Sequence, residues 1–334
     1  MTQVFYYSSL IMKKLTATVF CITVAAATMA AQPKTNLRPD ETVLLYASSF
    51  EGNIDTVYGE KTTFAGFEMK EENGLTGPED LPANGNLGNI SDLARFDLYF
   101  PKKPNGQMMI VCPGGGYHII SSYNEGVYVA DWFLDKGITV AVVKYRIPNG
   151  HRFVPYADVA NTFRYCREYA QEWGVNQIGV MGFSAGGHLA ATASTLWEDA
   201  VTRPDFSILI YPVISMEIGV THQGTHENLL GKVGKWKDNY MDRYCLEKQV
   251  CRFTPPTYIA LCSDDTVVPA ENSLRYYNAL IDLDIPVEMH IWPTGGHGWG
   301  FSSEKYIGKG KDKFSYARPE FEASLERWLE SIRK

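Results

Sequence analysis

A serine in a glycine-rich segment is the residue of this chain with the clearest setting for covalent chemistry. Ser184 lies in Gly182-Phe183-Ser184-Ala185-Gly186, where an apolar stretch ends and a helical pattern begins. In so tight a turn from strand to helix, a side chain at either glycine would collide with the neighbouring backbone, and the serine is left strained and exposed. The pattern predicts a nucleophile for acyl transfer, and the alternative is a glycine-rich turn with an incidental serine.

A serine hydroxyl is a weak nucleophile at neutral pH, so this chemistry needs a base within hydrogen-bond reach. Among the seven histidines, His297 stands downstream in a loop with glycines on both sides, in Gly295-Gly296-His297-Gly298. Those glycines let the backbone bend so that the imidazole can reach the serine. We predict that His297 is the general base. His188 is expected to pack locally on the helix after the serine, and His290 lies in a predicted strand.

The base in turn needs a carboxylate that orients the imidazole and stabilises its protonated form. Two candidates, Asp264 and Asp265, follow a short apolar run between the serine and the histidine, which is the order Ser, acid, His. In the pattern D-x-x-V-P the acid stands four residues before the proline, and here that proline is Pro269. The pattern favours Asp265, with Asp264 as the alternative.

Acyl transfer also needs hydrogen-bond donors aimed at the oxygen that becomes negatively charged. The segment Cys112-Pro113-Gly114-Gly115-Gly116-Tyr117 follows a predicted strand and offers unobstructed backbone amides. We expect one donor of this oxyanion hole from Gly115 or Gly116 and a second from Ala185, the residue after the serine. Three glycines alone are usually a flexible turn, and it is their place among the strands and helices before Ser184 that favours this function.

These groups can meet only if the elements between them form one sheet. From about Gln107 onward, short β-branched runs alternate with longer amphipathic stretches, which predicts an α/β fold with a mostly parallel central sheet and helices on both faces. The predicted strands are Met108–Cys112, Thr139–Lys144, Ile178–Gly182, Ser207–Tyr211, Tyr258–Cys262 and Val287–Ile291. The predicted helices are Asn124–Lys136, Tyr156–Trp173, Ala185–Trp197, Ala270–Leu283 and Pro319–Arg333.

The remaining segments complete the domain plan. Val43–Ala47 and Phe96–Phe100 are predicted edge strands, and Glu71–Ile90, rich in Gly, Asn and Pro, is predicted to be a long loop. Pro212–Thr257 is longer than one crossover helix requires and predicts a small cap insertion. With 334 residues and 45% apolar content, we expect a single catalytic domain over residues 31–334.

The first thirty residues predict an exported protein. Lys13 and Lys14 precede an apolar stretch from Leu15 to Met29, and small residues follow at Ala30 and Ala31. This order is typical of a signal peptide over residues 1–30, with residues 1–11 as an upstream extension. The expected location is secreted or periplasmic, without stable membrane insertion. A lipid anchor at Cys21 is disfavoured, because Thr18 stands where a leucine would be expected.

Charge and cysteine spacing restrict the partners. The formal net charge of −7 disfavours nucleic acid as a ligand. Cys245 and Cys251 could form a disulfide across a small loop or stay unpaired. No CxxC or HExxH motif occurs. His222 and His226 have helical metal-ligand spacing, but Gly224 between them weakens a helix, so we expect neither a metal nor a cofactor.

Together these motifs resemble the α/β-hydrolase superfamily, and more closely the bacterial acetyl-xylan esterases, feruloyl esterases and hormone-sensitive-lipase-like carboxylesterases. The resemblance runs from about Met108 to Gly300. It includes Lys144-Tyr145-Arg146, Asn228-Leu229-Leu230-Gly231, Pro255-Pro256-Thr257 and Glu271-Asn272-Ser273. These secondary motifs favour the acetyl-xylan-esterase-like branch. Pro113 stands where the lipase-like relatives carry histidine before the glycines, which argues against a strict lipase-type assignment.

The resemblance implies a serine esterase that removes small acyl groups from xylan or related acetylated saccharides. Tyr117, Tyr123 and Trp299 flank the predicted catalytic loops, and we expect Tyr117 and Trp299 to contact the substrate, although aromatic residues there also pack loops. The expected partner is a small-molecule or oligosaccharide ester. Feruloyl or general short-chain ester hydrolysis is the alternative, and a peptidase or a non-catalytic binding module is disfavoured. The sequence makes no prediction of an oligomeric state.

Overall fold

The computed structural model of the chain describes residues 35, 37–45, 56–57, 60–61, 86–88, 90, 94–148, 150–231 and 238–334. The predicted signal peptide, residues 1–30, and most of the predicted loop Glu71–Ile90 lie outside these residues. The start of the catalytic domain at residue 31 therefore stays a prediction.

An eight-stranded sheet organises the described residues, with strands in the spatial order β1-β5-β8-β6-β9-β10-β11-β12. Two short ladders, β2 with β3 and β4 with β7, lie outside it. The strands are β1 (Glu41–Leu44), β2 (Thr56–Val57), β3 (Glu60–Lys61), β4 (Asn86–Gly88), β5 (Arg95–Tyr99), β6 (Gln107–Cys112), β7 (Ile119–Ser121), β8 (Thr139–Lys144), β9 (Gln177–Phe183), β10 (Ser207–Ile210), β11 (Thr257–Cys262) and β12 (Val287–Trp292).

The sheet is mostly parallel, as predicted. Strands β8, β6, β9, β10, β11 and β12 pair in parallel, and every residue of β6, β8, β9, β10 and β11 is buried, since parallel strands are covered on both faces. At the other side β5 pairs antiparallel with both β1 and β8. The prediction of an edge strand at Phe96–Phe100 is therefore wrong: β5 has neighbours on both sides, and β1 alone lies at that edge of the sheet.

Helices of the described chain pack around the sheet. They are α1 (Tyr128–Asp135), α2 (Val154–Tyr169), α3 (Ser184–Thr195), α4 (Gln223–Leu230), α5 (Asp238–Tyr244), α6 (Glu271–Ile281), α7 (Glu304–Ile307) and α8 (Arg318–Ile332). The predicted helix Asn124–Lys136 differs in form, because a π-helical turn, Tyr123–Val127, precedes α1. That turn places the carboxylate of Glu125 in the interior.

The predicted insertion between β10 and β11 contains α4, α5 and a single 3₁₀ turn at Leu246–Lys248. We refer to Pro113–Tyr117, the segment after β6, as the glycine loop. The side chain of Asn228 in α4 donates a hydrogen bond to the carbonyl of Gly116, at 2.9 Å, so this insertion contacts the glycine loop. In the described part of the chain, no helix combines the length and the apolar character needed to cross a bilayer.

One buried hydrogen bond attaches the glycine loop to the residue after β8, and a neighbouring ion pair holds the end of β8 in place. The hydroxyl of Tyr145, just after β8, donates to the carbonyl of Pro113 at 2.7 Å. The next residue, Arg146, forms a buried ion pair with Asp158 of α2, with Nη2 2.6 Å from Oδ1. A buried guanidinium requires such a partner, so this pair holds the end of β8 against α2 and keeps Tyr145 in place.

Candidate active site

Ser184 lies at a turn that only glycines permit. It follows β9, begins α3 and has a positive φ of 52°. A Cβ atom on Gly182 would lie 2.0 Å from the carbonyl oxygen of Gly186, and one on Gly186 would lie 2.1 Å from that of Cys112. Neither position could hold a side chain without moving backbone. The turn therefore holds Ser184 in a strained conformation at the carboxyl end of β9.

The structure brings Ser184, His297 and Asp265 together, as the sequence predicted they would meet. His297 Nε2 lies 2.8 Å from Ser184 Oγ, and His297 Nδ1 lies 2.6 Å from Asp265 Oδ2. The other carboxylate oxygen of Asp265 accepts hydrogen bonds from the amides of Val267 and Val268, each at 2.9 Å. This chain of contacts is the geometry that activates a serine through an oriented imidazole.

The two neighbouring acids make different contacts. Asp264 accepts hydrogen bonds from the amides of Gly295 and Gly296, at 3.2 and 2.7 Å, so it holds the loop that carries His297. Asp265 contacts the imidazole itself. Burial opposes ionisation of Asp265, but the hydrogen bonds from His297 and from two backbone amides hold the pKa of its carboxyl below its usual range. An ionised acid next to the ring is the state that orientation of the base requires.

The glycine loop presents backbone amides beside the serine. Gly115 and Gly116 have positive φ angles of 129° and 65°, and a Cβ atom on Gly115 would lie 2.1 Å from the carbonyl oxygen of Ile119. The amides of Gly115 and Gly116 have no acceptor among the described residues. Ala185, in the first turn of α3, also has no acceptor within its helix. These three residues can therefore offer donors, and their assignment to an oxyanion hole stays a prediction.

A buried glutamate that sequence reasoning missed connects the loops of the site. Glu125 is 4% exposed, and its two carboxylate oxygens accept from the amide of Gly114 at 2.7 Å and from the hydroxyl of Tyr211 at 2.8 Å. The Tyr211 hydroxyl also accepts from the amide of Gly300 at 2.9 Å, and the Tyr211 ring lies 4.7 Å from that of His297. The carboxylate of Glu125 thus connects the glycine loop, through Tyr211, to the loop that carries His297.

Burial raises the pKa of Glu125, and the hydrogen bond from Tyr211, the charge of His297 and the amide of Gly114 oppose that rise. The hydrogen bonds from Gly114 and Tyr211 offset the free-energy cost of burying the carboxylate, so Glu125 can link the two loops. In the sequence, Glu125 is indistinguishable from any acid near the start of a helix.

Tyr117 and Trp299 do not face the substrate. Each is 1% exposed. The Tyr117 hydroxyl lies 3.1 Å from His188 Nδ1, and the Trp299 ring stacks on Phe314 with 4.1 Å between centroids. The prediction that these two rings contact substrate is therefore corrected: both fill the interior behind the tight glycine loops. Tyr123 is half-buried, and a contact with substrate there stays a prediction.

The other histidines have structural contacts. His188 is fully buried between Tyr117 and the carbonyl of Tyr244, and burial lowers its pKa to about 4, so it is neutral, as the prediction of local packing requires. His222 caps α4 through Thr225, while His226 Nδ1 contacts the carbonyl of Met216. The Nδ1 atoms of the two rings therefore serve separate contacts, and the expectation that this pair holds no metal stays a prediction.

The five cysteines among the described residues are free thiols, including Cys245 and Cys251, so the unpaired alternative holds there. Within the described residues, Glu217, Cys245 and Glu247 place possible ligand atoms within 4.8 Å of one another. Glu217, however, already pairs with Lys248 and Arg275, at 2.7 and 2.6 Å. These two cations neutralise the cluster, so it is an ion-pair network.

Proteins similar in sequence to this chain include an esterase and a xylanase. A sequence profile of the BD-FAE family matches residues 96–280. The chain is 38% identical over 250 residues to an acetylxylan esterase of Xylanibacter ruminicola, a match that covers 73% of this chain and 50% of that protein. It is 32% identical over 217 residues to endo-1,4-beta-xylanase B of Butyrivibrio fibrisolvens, covering 60% of this chain and 33% of that one.

Among solved structures, the acetyl ester-xyloside bifunctional hydrolase of Caldicellulosiruptor lactoaceticus is similar, with a TM-score of 0.61 and 32% identity. That match covers 72% of this chain and 88% of the other. The chain spans half or less of the length of the two sequence relatives, so their whole activities are not carried over. The predicted α/β-hydrolase fold is confirmed by such neighbours. With more than half of its length matched by the family profile, the chain belongs to the BD-FAE family.

Proposed function

We propose that this chain is a serine esterase that removes acetyl groups from xylan or related acetylated saccharides. The observation that carries the proposal is the continuous contact from Ser184 Oγ through the His297 imidazole to Asp265, at 2.8 and 2.6 Å. The names of its relatives, an acetylxylan esterase and an acetyl ester-xyloside hydrolase, support the substrate class.

The proposed reaction begins when His297 takes the proton of the Ser184 hydroxyl as the oxygen attacks the ester carbonyl. Negative charge then develops on the carbonyl oxygen, where the amides of Ala185 and of Gly115 or Gly116 donate to it. The tetrahedral intermediate collapses, His297 passes its proton to the departing sugar hydroxyl, and an acetyl group stays on Ser184. Water, activated by the same imidazole, releases acetate, and Asp265 keeps the ring oriented throughout.

Polymeric xylan does not cross a membrane, so removal of acetyl groups from the polymer itself requires an enzyme outside the cytoplasm. We infer export from the cationic start and apolar stretch of residues 12–31. When the full chain is expressed in a secreting bacterial host, we expect mature protein that begins near Ala31. N-terminal sequencing and intact mass of the exported protein test this, and a product that retains residues 1–30 contradicts it.

Replacing the proposed nucleophile should abolish turnover. We expect Ser184→Ala to lower kcat on p-nitrophenyl acetate and on acetylated xylan by at least about 10⁴-fold, since the proposed acyl-enzyme forms on the hydroxyl that this change removes. Acetate release and absorbance measure the rates, and circular dichroism checks the fold. The control is Ser263→Ala, an exposed serine that should leave kcat unchanged. Retained activity in Ser184→Ala would place the nucleophile elsewhere.

Replacing the two neighbouring acids one at a time should lower kcat by clearly different factors. Asp265→Asn should lower kcat by about 10⁴-fold, because its one oxygen stays with the amides of Val267 and Val268 and its NH2 group, a donor, then faces Nδ1 and imposes the wrong tautomer of His297. Asp264→Asn should lower kcat by about tenfold or less, because its oxygen keeps one of the two hydrogen bonds to the loop that carries His297, and at this exposed position water can accept the other. Steady-state kinetics on the same esters measure both variants. If Asp264→Asn is the more damaging change, the assignment of the acid reverses.

Glu125 should act as a positioning residue. Glu125→Gln leaves one acceptor oxygen where the amide of Gly114 and the hydroxyl of Tyr211 each need one. We expect kcat to fall by about tenfold to a hundredfold with KM little changed, since displaced amides act on the transition state. Glu322→Gln, at a half-buried glutamate of α8, is the control. An equal loss in both variants, or a loss confined to thermal stability, would contradict the role.

A further inference from the structure

The insertion between β10 and β11 places one imidazole beside the proposed active site. His222 immediately precedes α4, and its Nδ1 accepts a hydrogen bond from the backbone amide of Thr225, at 3.2 Å, as the N-cap of that helix. The Thr225 hydroxyl lies 2.8 Å from the same nitrogen and can rotate to donate to it as well. His222 therefore has a structural role as the N-cap residue of α4.

The cap determines which nitrogen of His222 carries the proton. A backbone amide can only donate, so Nδ1 must offer its lone pair to Thr225. In a neutral imidazole the proton then lies on Nε2, which becomes a hydrogen-bond donor. Among the described residues, no acceptor faces Nε2. The donor is therefore available to a bound molecule.

The ring of His222 lies against the glycine loop. A Cβ atom on Gly116 would lie 3.7 Å from Cε1 of the half-buried His222 ring. Asn228, on the same helix, donates to the carbonyl of Gly116 at 2.9 Å and holds α4 against the loop. The ring and the predicted oxyanion donors are therefore parts of one rigid arrangement.

Electrostatics place His222 near the proposed base as well. Burial lowers the pKa of His222, the charge of His297 lowers it further, and Asp265 opposes the change. His222 consequently stays neutral when His297 becomes protonated during turnover, which avoids two adjacent positive charges. Because His297 passes its proton to the departing alcohol, a ring that lies against Gly116, and close enough to His297 for the two charges to interact, can reach the alcohol half of the ester.

We propose that His222 is a specificity-determining residue whose Nε2–H donates a hydrogen bond to a hydroxyl of the sugar that carries the acetyl group. The inference rests on the proposed function and extends it, since it names the part of the substrate that the insertion recognises. A hydroxylated alcohol gains this contact, whereas an alcohol without a nearby hydroxyl leaves the donor to water. Selection for saccharide esters then comes from the insertion, and hydrolysis from the loops of the sheet.

The test separates recognition from chemistry. His222→Asn keeps an acceptor for the amide of Thr225, because asparagine is a favoured N-cap residue, but its side chain is too short to replace Nε2. We expect kcat/KM for acetylated xylo-oligosaccharides to fall about tenfold, as one hydrogen bond to the substrate is lost. On p-nitrophenyl acetate, which has no hydroxyl beside the ester, we expect a change within about twofold. Acetate release and absorbance give the two rates.

Two further variants make the result specific. His222→Gln places an amide donor near the former Nε2 and should recover part of the saccharide activity despite a weaker cap. Gln223→Ala, at the next residue and exposed, should leave the ratio of the two activities unchanged. Thermal unfolding of each variant checks that α4 remains folded.

Each outcome decides the question. A lower ratio in His222→Asn with partial recovery in His222→Gln supports the inference. Equal losses on both esters, or no loss on the saccharide, overturn it while acetate release by the unmodified protein still supports the proposed function. If the unmodified protein hydrolyses p-nitrophenyl acetate but no acetylated saccharide, the proposed substrate class fails and this inference fails with it.

Discussion

The closeness of two backbones at the turn between β9 and α3 is the constraint on which the site depends. Gly182 and Gly186 leave no room for a methyl group, because the atoms that a Cβ would meet are backbone carbonyl oxygens. Only this contact lets α3 start against the end of β6 and puts Ser184 in a conformation that side chains rarely adopt. The buried parallel strands on both sides hold the strain in place, so the position of the hydroxyl is a property of the whole sheet.

The loops around this turn are joined by acids that serve different purposes. Asp265 contacts the imidazole, Asp264 holds the loop that carries it, and Glu125 links that loop to the glycine loop through Tyr211. Each carboxylate accepts hydrogen bonds from backbone amides, which offsets the cost of removing a charge from water. The geometry of the site therefore depends on the contacts of Asp264 and Glu125 as well as on those between Ser184, His297 and Asp265.

The accuracy of sequence reasoning differed among these residues for physical reasons. Ser184, His297 and Asp265 stand in motifs where glycines, a proline and the order along the chain reflect local backbone constraints. Glu125 and Tyr211 are 86 positions apart, and nothing local marks either as a partner of the other. Tyr117 and Trp299 were misjudged because exposure depends on what packs against a ring, as Phe314 does against Trp299.

Hydrophobic periodicity and the positions of glycine and proline are local properties of a chain, so the sequence alone predicted most of the alternating strands and helices from Gln107 onward and the residues Ser184, Asp265 and His297. The tertiary structure alone decided that β5 has two neighbours, that a π-helical turn directs Glu125 inward, and that the insertion sets His222 beside Gly116. These are contacts between segments far apart along the chain, and only packing selects them.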